Sequence, residues 1–297
     1  MEIDRRAAVG SGLATVVGLS ALSKGSAIAA EPAPRPIRPL RIKGLVIGEG
    51  RPKVIVSIAE ATPAAALSRA GKLAGMFEVD LIEYRIDHLA DRGDADRIAA
   101  SVDEVAGACD AKPLLMTFRT KAEGGEAEIA PTAYARLYSA ALRRRGPALI
   151  DLQYALCSEA SVAAVLGQAK AIGCPVMLSY HNFQSTPTVE AMIAKLRAMQ
   201  TLGADVPKIA VMPHNSGDTI KLLQATWEMY RKYADRPILT MAMAGLGAVS
   251  RIAGETFGSA LTFGSVDSAS APGQVEVSEL RPMLDALSGT SSKDHRA

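Results

Sequence analysis

From residue 40 onward, short runs rich in Val, Ile and Leu alternate with longer segments whose apolar residues recur at helical spacing. The β-like runs are Lys53–Ala59, Val79–Asp87, Leu114–Thr120, Leu149–Tyr154, Pro175–Phe183, Val206–Met212, Ile238–Ala244 and Leu261–Gly264. The helix-period segments between them are Thr62–Leu73, Ala95–Ala108, Pro131–Arg145, Ser158–Ile172, Thr188–Leu202, Asp218–Tyr233 and Ser250–Phe257. Each β-like run is apolar enough to be buried on both faces. Eight such runs in strict alternation with helices predict an α/β fold, the (β/α)8 TIM barrel. An open doubly wound sheet is the competing architecture, but no Gly-x-Gly-x-x-Gly follows the first strand and no P-loop occurs. The alternating stretch Leu40–Gly48 predicts an N-terminal β-hairpin that closes the barrel bottom. The barrel domain is expected over 40–287, with the Ser-rich tail Ser288–Ala297 frayed.

The first residues follow a different pattern. Arg5-Arg6 precedes the uncharged, Ala-, Gly- and Val-rich stretch Ala7–Leu22, and Ala27-Ile28-Ala29 offers small residues where a signal peptidase reads them. The stretch is too short and glycine-rich for a stable transmembrane span. The arginine pair resembles a twin-arginine export signal over 1–29, although Asp4 and Ala7-Ala8 stand where more typical neighbours would. Cleavage is expected near Ala29/Ala30. The segment 30–39, with Pro32, Pro34 and Pro36, reads as a proline-stiffened linker.

Composition removes several function classes. The net charge of +2 gives no electrostatic case for nucleic acid, and 4% aromatic residues supply few stacking platforms. Cys109, Cys157 and Cys174 lie far apart, without metal-ligand spacing, and read as small hydrophobes.

A barrel of this kind carries its active site at the C-terminal ends of its strands, and polar residues gather there. The first run carries Ser57. The second ends Glu83-Tyr84-Arg85-Ile86-Asp87, in which strand alternation turns Glu83, Arg85 and Asp87 toward the lumen together. Arg119 ends the third run and is followed by Glu123-Gly124-Gly125; the fourth gives Asp151 and Gln153, and the fifth ends Ser179-Tyr180-His181. Lys208 stands in the apolar sixth run, where desolvation would favour its free amine, a nucleophile toward ketones. Met241 and Met243 on the seventh run read as core filling, and Arg251 opens the next helix. Singly, each charged residue has a structural explanation, such as an ion pair between Glu83 and Arg85. Together they would cost several kcal/mol apiece in unrelieved desolvation if they served packing alone.

From about Leu40 to Leu287 these motifs resemble the type I 3-dehydroquinate dehydratases, Schiff-base enzymes on a (β/α)8 barrel. The resemblance rests on Glu83-Tyr84-Arg85-Ile86-Asp87, Phe118-Arg119-Thr120 with Glu123-Gly124-Gly125, Ser179-Tyr180-His181 and Pro207-Lys208-Ile209-Ala210. It continues in Ser250-Arg251 with Phe257-Gly258-Ser259, and in Ala269-Ser270-Ala271-Pro272-Gly273-Gln274. It implies Lys208 as the imine-forming nucleophile, His181 as general base and acid, and Glu123 as the partner that orients His181. It further implies Arg251 on the substrate carboxylate, Glu83, Arg85 and Arg119 on ring hydroxyls, Ser57 as a hydroxyl contact, and Ser270 and Gln274 in a closing lid. The substrate it implies is 3-dehydroquinate, with no metal and no organic cofactor. Two positions depart from the family pattern: Gln153 stands where an acid is usual, and Tyr84 where tryptophan is frequent. The family is often dimeric, so a homodimer is the expected assembly, and no pattern marks its interface.

Two other readings compete. A class I aldolase on a lysine Schiff-base barrel lacks a reason for the Glu83/Arg85 cluster and calls for phosphate-binding glycines after the last strands. A non-catalytic binder of hydroxylated carboxylates would have no use for Lys208 and His181 together. The N-terminal signal adds an expected location, the periplasm, with the twin-arginine machinery as a partner and quinate catabolism as the setting.

Overall fold

A hairpin opens the part of the chain that the computed structural model describes, residues 35–144, 146–267, 271 and 273–294. Its strands β1 (Leu40–Ile42) and β2 (Leu45–Ile47) pair antiparallel around Lys43 and Gly44, which both hold positive φ (44° and 80°). The strands β3 (Lys53–Ile58), β4 (Leu81–Arg85), β5 (Leu114–Thr117), β6 (Leu149–Gln153), β7 (Val176–Asn182), β8 (Val206–Val211) and β9 (Leu239–Ala242) then pair in chain order, all parallel. The last long strand, β10 (Leu261–Ser265), pairs parallel with β3. On its other side the Ala260 amide donates to the Ile238 carbonyl at 2.9 Å and Ile238 bridges Ser259, which closes the sheet on itself. This is the (β/α)8 barrel.

Four of the helices start where a side chain satisfies their first amides. Thr62 caps α1 (Pro63–Ala74), Asp94 caps α2 (Ala95–Ala108), Thr188 caps α5 (Val189–Leu202) and Asn215 caps α6 (Ser216–Lys232). Between them lie α3 (Pro131–Arg144) and α4 (Ala160–Ala171). The segment expected as one helix over Ser250–Phe257 is two short ones, α7 (Ala248–Ile252) and α8 (Gly254–Phe257). Past β10, a short strand β11 (Val275–Glu276) leads into α9 (Val277–Asp294), a helix the sequence pattern did not announce; it runs into the stretch expected to fray. Residues 1–34, which hold the expected export signal and most of the linker, and residues 295–297 lie outside the described residues, as does Ser270. Residues 35–39 have no regular secondary structure, yet Ile37 packs against the barrel and the Arg38 amide donates to the Asp235 carbonyl at 2.9 Å.

The hairpin does plug the barrel. Ile42 and Ile47 join one apolar cluster with the lower inward-facing residues of the strands, among them Ile55, Leu81, Leu115, Leu149, Met177 and Val206. The outward-facing residues of the same strands, such as Val54, Ile82, Met116 and Ile150, belong to a second cluster under the helices. Tyr84 is in that outer layer, its hydroxyl 2.8 Å from Ser101 Oγ, so this departure from the family pattern faces a helix.

Candidate active site

One step further along each strand, the lumen changes from apolar to polar. Ile55 gives way to Ser57, Leu81 to Glu83, Leu115 to Thr117, Leu149 to Asp151, Met177 to Ser179 and Val206 to Lys208. Of these, Ser57, Glu83 and Lys208 line one cavity together with Arg85, Arg119, Glu123, His181, Arg251 and Gln274, while Thr117, Asp151 and Ser179 are buried behind them. All the sequence-derived site residues therefore meet at one place, apart from Ser270.

Lys208 is the third residue of β8 and only 3% exposed, so it lies within the strand and not at its end. Its Nζ stands 3.4 Å from Asp151 Oδ2 and 4.6 Å from the centre of the Phe263 ring. Burial pushes the ammonium below its ordinary range, with Arg119 adding to the effect and Asp151 opposing it. Asp151 is shared. Its Oδ2 also accepts from Arg119 Nη2 at 2.7 Å, and Ser179 Oγ, a donor to Asp151 Oδ1, accepts from Arg119 Nη1 at 2.7 Å. The carboxylate's attention is thus divided between a guanidinium at close range and an amine further off.

His181 extends from the upper part of β7. Its Nδ1 lies 3.0 Å from Glu123 Oε2, and its backbone amide donates to the same oxygen at 3.1 Å. Burial, with Arg119, Lys208 and Arg85 around it, holds the imidazole well below its usual pKa, so it is neutral at physiological pH. Burial also raises Glu123, to about 7, against the opposing pull of Arg119. With Glu123 ionised, Nδ1–H donates to it and Nε2 is the nitrogen left basic. Glu123 comes from a single 3-10 turn, Lys121–Glu123, that ends on Gly124 at φ 83°. The positive φ favours glycine, and a Cβ there would lie 2.2 Å from the ring of Phe183, just past β7, so any larger residue would displace that ring.

The geometry corrects one expectation, the placing of Asp87 toward the lumen, and rules out one alternative, an ion pair between Glu83 and Arg85. Glu83 and Arg85 do not pair: Glu83 accepts from Ser57 Oγ and from Thr117 Oγ1 (2.8 Å), whereas Arg85 forms a two-point pair with Asp87 (2.8 and 2.7 Å). Asp87 does not face the lumen, because β4 ends at Arg85 and Asp87 falls in the following 3-10 turn, fully buried. There it orients Arg85 and accepts from the Arg119 amide at 3.1 Å; burial works against its charge, but Arg85 holds the carboxyl below its usual range. Met241 and Met243 are buried as the core reading expects, Met241 within the floor cluster, and both also line the cavity, where with Phe263 and Ala210 they make its apolar wall.

Arg251, 1% exposed on α7, reaches the same cavity beside Met241, with Nη1 3.5 Å from the sulfur. Burial lowers its pKa to about 10, which leaves it cationic at neutral pH. Sequence reasoning passed over Thr117 and Phe263, and left Asp151 and Ser179 out of the site although it noted both at strand ends. Their position two residues beyond an apolar lumen residue was the signal available. Among the described residues no group of three His, Cys, Asp or Glu side chains is placed to hold a metal ion. The arrangement offers a desolvated primary amine, an oriented neutral imidazole, and buried cations beside an apolar wall: the equipment for imine formation followed by proton transfer.

Known proteins agree with this geometry. Residues 54–291 match the family model for type I 3-dehydroquinase. The chain is 42% identical over 248 residues to the 3-dehydroquinate dehydratase of Bacillus licheniformis, covering 84% of this chain and 97% of that one. It is 43% identical over 251 residues to an Escherichia coli 3-dehydroquinate dehydratase, covering 84% and 99%. Among solved structures, the type I 3-dehydroquinate dehydratase of Clostridium difficile with covalently modified comenic acid superposes with a TM-score of 0.82 at 39% identity, covering 86% of this chain and 99% of that one. On this match over most of its length, the chain belongs to the type I 3-dehydroquinase family.

Proposed function

We propose that the chain dehydrates 3-dehydroquinate to 3-dehydroshikimate through an imine on Lys208. The observation that carries this reading is a desolvated lysine amine in the same cavity as a neutral histidine held by Glu123. The Lys208 amine adds to the C3 ketone, and loss of water gives the imine. Its iminium form acidifies the adjacent C2–H, and His181 takes that proton as the electron pair moves toward nitrogen to form an enamine. The enamine expels the C1 hydroxyl, which leaves as water with the proton His181 returns. Hydrolysis of the conjugated imine frees Lys208, and the net change is loss of one water. Arg251 binds the substrate carboxylate through its planar fork. Glu83 and Arg85, each held by its own partner, meet the ring hydroxyls, with Ser57 and Gln274 of the cavity lining as further polar contacts. Arg119, which lines the cavity and is held by Asp151, Ser179 and Glu123, is the third contact to the ring hydroxyls.

Mixing the protein with 3-dehydroquinate and following ultraviolet absorbance tests the reading. Growth of a conjugated enone is the expected result; carbon–carbon cleavage products would favour an aldolase, and unchanged substrate a binder.

The setting we propose is quinate catabolism in the periplasm, after export by the twin-arginine route and with the enzyme acting as a homodimer. Support for export comes from Arg5-Arg6, Ala7–Leu22 and Ala27-Ile28-Ala29. Nearly the whole length of the curated relatives aligns with 84% of this chain, so the chain carries residues beyond them. Fractionation should find a mature N-terminus near Ala30 in the periplasm, and replacing Arg5-Arg6 by Lys-Lys should retain the activity in the cytosol. Intact protein in the cytosol would overturn the location and leave the chemistry untouched.

A further inference from the structure

We infer that Gln153 is a positioning residue for the Glu123–His181 pair, acting through Thr120 at the root of the turn that presents Glu123. Gln153 is the last residue of β6 and 2% exposed, and it is not part of the cavity lining. Its Oε1 accepts from the Thr120 amide at 2.6 Å, and its Nε2 donates to Thr120 Oγ1 at 3.0 Å. Its own amide lies 3.1 Å from the Tyr134 hydroxyl, so the side chain projects from a fixed backbone. The clamp thus joins two points of one residue to a barrel strand.

Thr120 is where the Glu123 turn is anchored. Its carbonyl accepts from the Glu123 amide at 3.0 Å and from the Gly125 amide at 2.9 Å, and it forms a parallel bridge with Ala127. The path from Gln153 to the imidazole is therefore a run of short contacts: Gln153 to Thr120, Thr120 to Glu123, and Glu123 to both Nδ1 and the backbone amide of His181. No substrate contact is required of Gln153. Its amide meets both the donor and the acceptor that Thr120 presents. Loss of the clamp lets the Glu123 turn shift, and a shift below an ångström suffices to loosen the Nδ1–H bond that fixes the tautomer.

The assignment of Glu123 and His181 to catalysis rests on the proposed dehydratase reading, so one arm of the test uses no substrate. The chain has four histidines, which makes ring-15N spectra of the full-length protein tractable. At pH 8 the wild type should show His181 as the Nδ1–H tautomer, and Gln153→Leu a mixture. With 3-dehydroquinate, Gln153→Leu should lose about tenfold in kcat, with KM within about threefold of wild type and the borohydride-trapped adduct retained. Gln153→Glu, whose carboxylate can accept from both the Thr120 amide and hydroxyl, should restore the tautomer and most of kcat. Should Gln153→Leu misfold, Thr120→Val removes only the hydroxyl contact and should lower kcat about threefold with a partial tautomer change. An unaltered His181 tautomer and kcat in both Gln153→Leu and Thr120→Val would overturn the inference, as would Gln153→Glu behaving no better than Gln153→Leu. Absence of any enone from the wild type would defeat the dehydratase reading alone, since the tautomer arm still decides the role of Gln153.

Discussion

Along β3 to β8 the barrel interior holds two regions separated by a single pleat repeat, roughly 6.6 Å along each strand. Below lie Ile55, Leu81, Leu115, Leu149, Met177 and Val206, sealed by Ile42 and Ile47 of the hairpin. Above lie Ser57, Glu83, Thr117, Asp151, Ser179 and Lys208, almost every polar atom of which has a named partner. On β9 and β10 the change does not occur: Leu239 is followed by Met241, and Leu261 by Phe263. The floor is cohesive because apolar surface leaves water; the upper layer holds because its charges satisfy one another. Folding and chemistry can therefore be disturbed separately, although the residues concerned are near neighbours on the same strands.

The sharpest way to break the comparison is Lys208→Ala. Turnover is expected to vanish, while urea unfolding moves by no more than about 1 kcal/mol, because Asp151 keeps its bonds to Arg119 and Ser179. Leu149→Ala, from the floor, should do the opposite. It removes a fully buried side chain and should cost about 2–5 kcal/mol in the same unfolding measurement, with kcat per folded molecule within about twofold of wild type. If both variants lost stability and turnover in parallel, the two layers would be one unit and the distinction would fail.

His181→Ala sharpens the picture within the upper layer. Turnover should fall by at least ~10²-fold while imine adducts remain trappable, since the amine is intact. The wild-type pH profile should show the same pair. As pH drops through about 7, Glu123 takes up a proton and ceases to be the acceptor that fixes Nδ1–H, so kcat/KM should fall on the acid side. A profile flat down to pH 5 would remove Glu123 from that role.

A smaller effect is expected where the polar layer meets the apolar wall. Arg251→Lys keeps the charge but replaces a planar fork by a point charge beside Met241, and KM should rise about tenfold, about 1.4 kcal/mol. An unchanged KM in steady-state assays would place the carboxylate elsewhere.

The two layers also explain what could be read in advance. Strand periodicity turns Glu83 and Arg85 to one side, and both line the cavity, because alternation is a local rule that the barrel preserves. Which charge meets which is set by neighbours distant in the chain. Arg119 reaches Asp151 and Ser179, each contributed by a different strand, and no local pattern announces that. Asp87 was misplaced because alternation was carried past the end of β4 into a 3-10 turn. Met241 and Met243 are legible as core but not as a cavity wall, because the two look alike in one dimension. The helix α9, with Pro282 inside it and a weak periodic pattern, gave no clear signal. Gln153 is legible as a polar strand-end residue and a departure from the family pattern, but not as a clamp, since its two bonds to Thr120 exist only once β5 and β6 lie side by side.

The central claim is that the buried amine of Lys208 forms the covalent intermediate. Borohydride added during turnover of 3-dehydroquinate, followed by peptide mass analysis, tests it most directly. The expected result is a ligand-sized mass increase on the peptide containing Lys208, with matching loss of activity and no label in Lys208→Ala. Label on Lys170 or Lys221, or full activity with no adduct on any lysine, would contradict it.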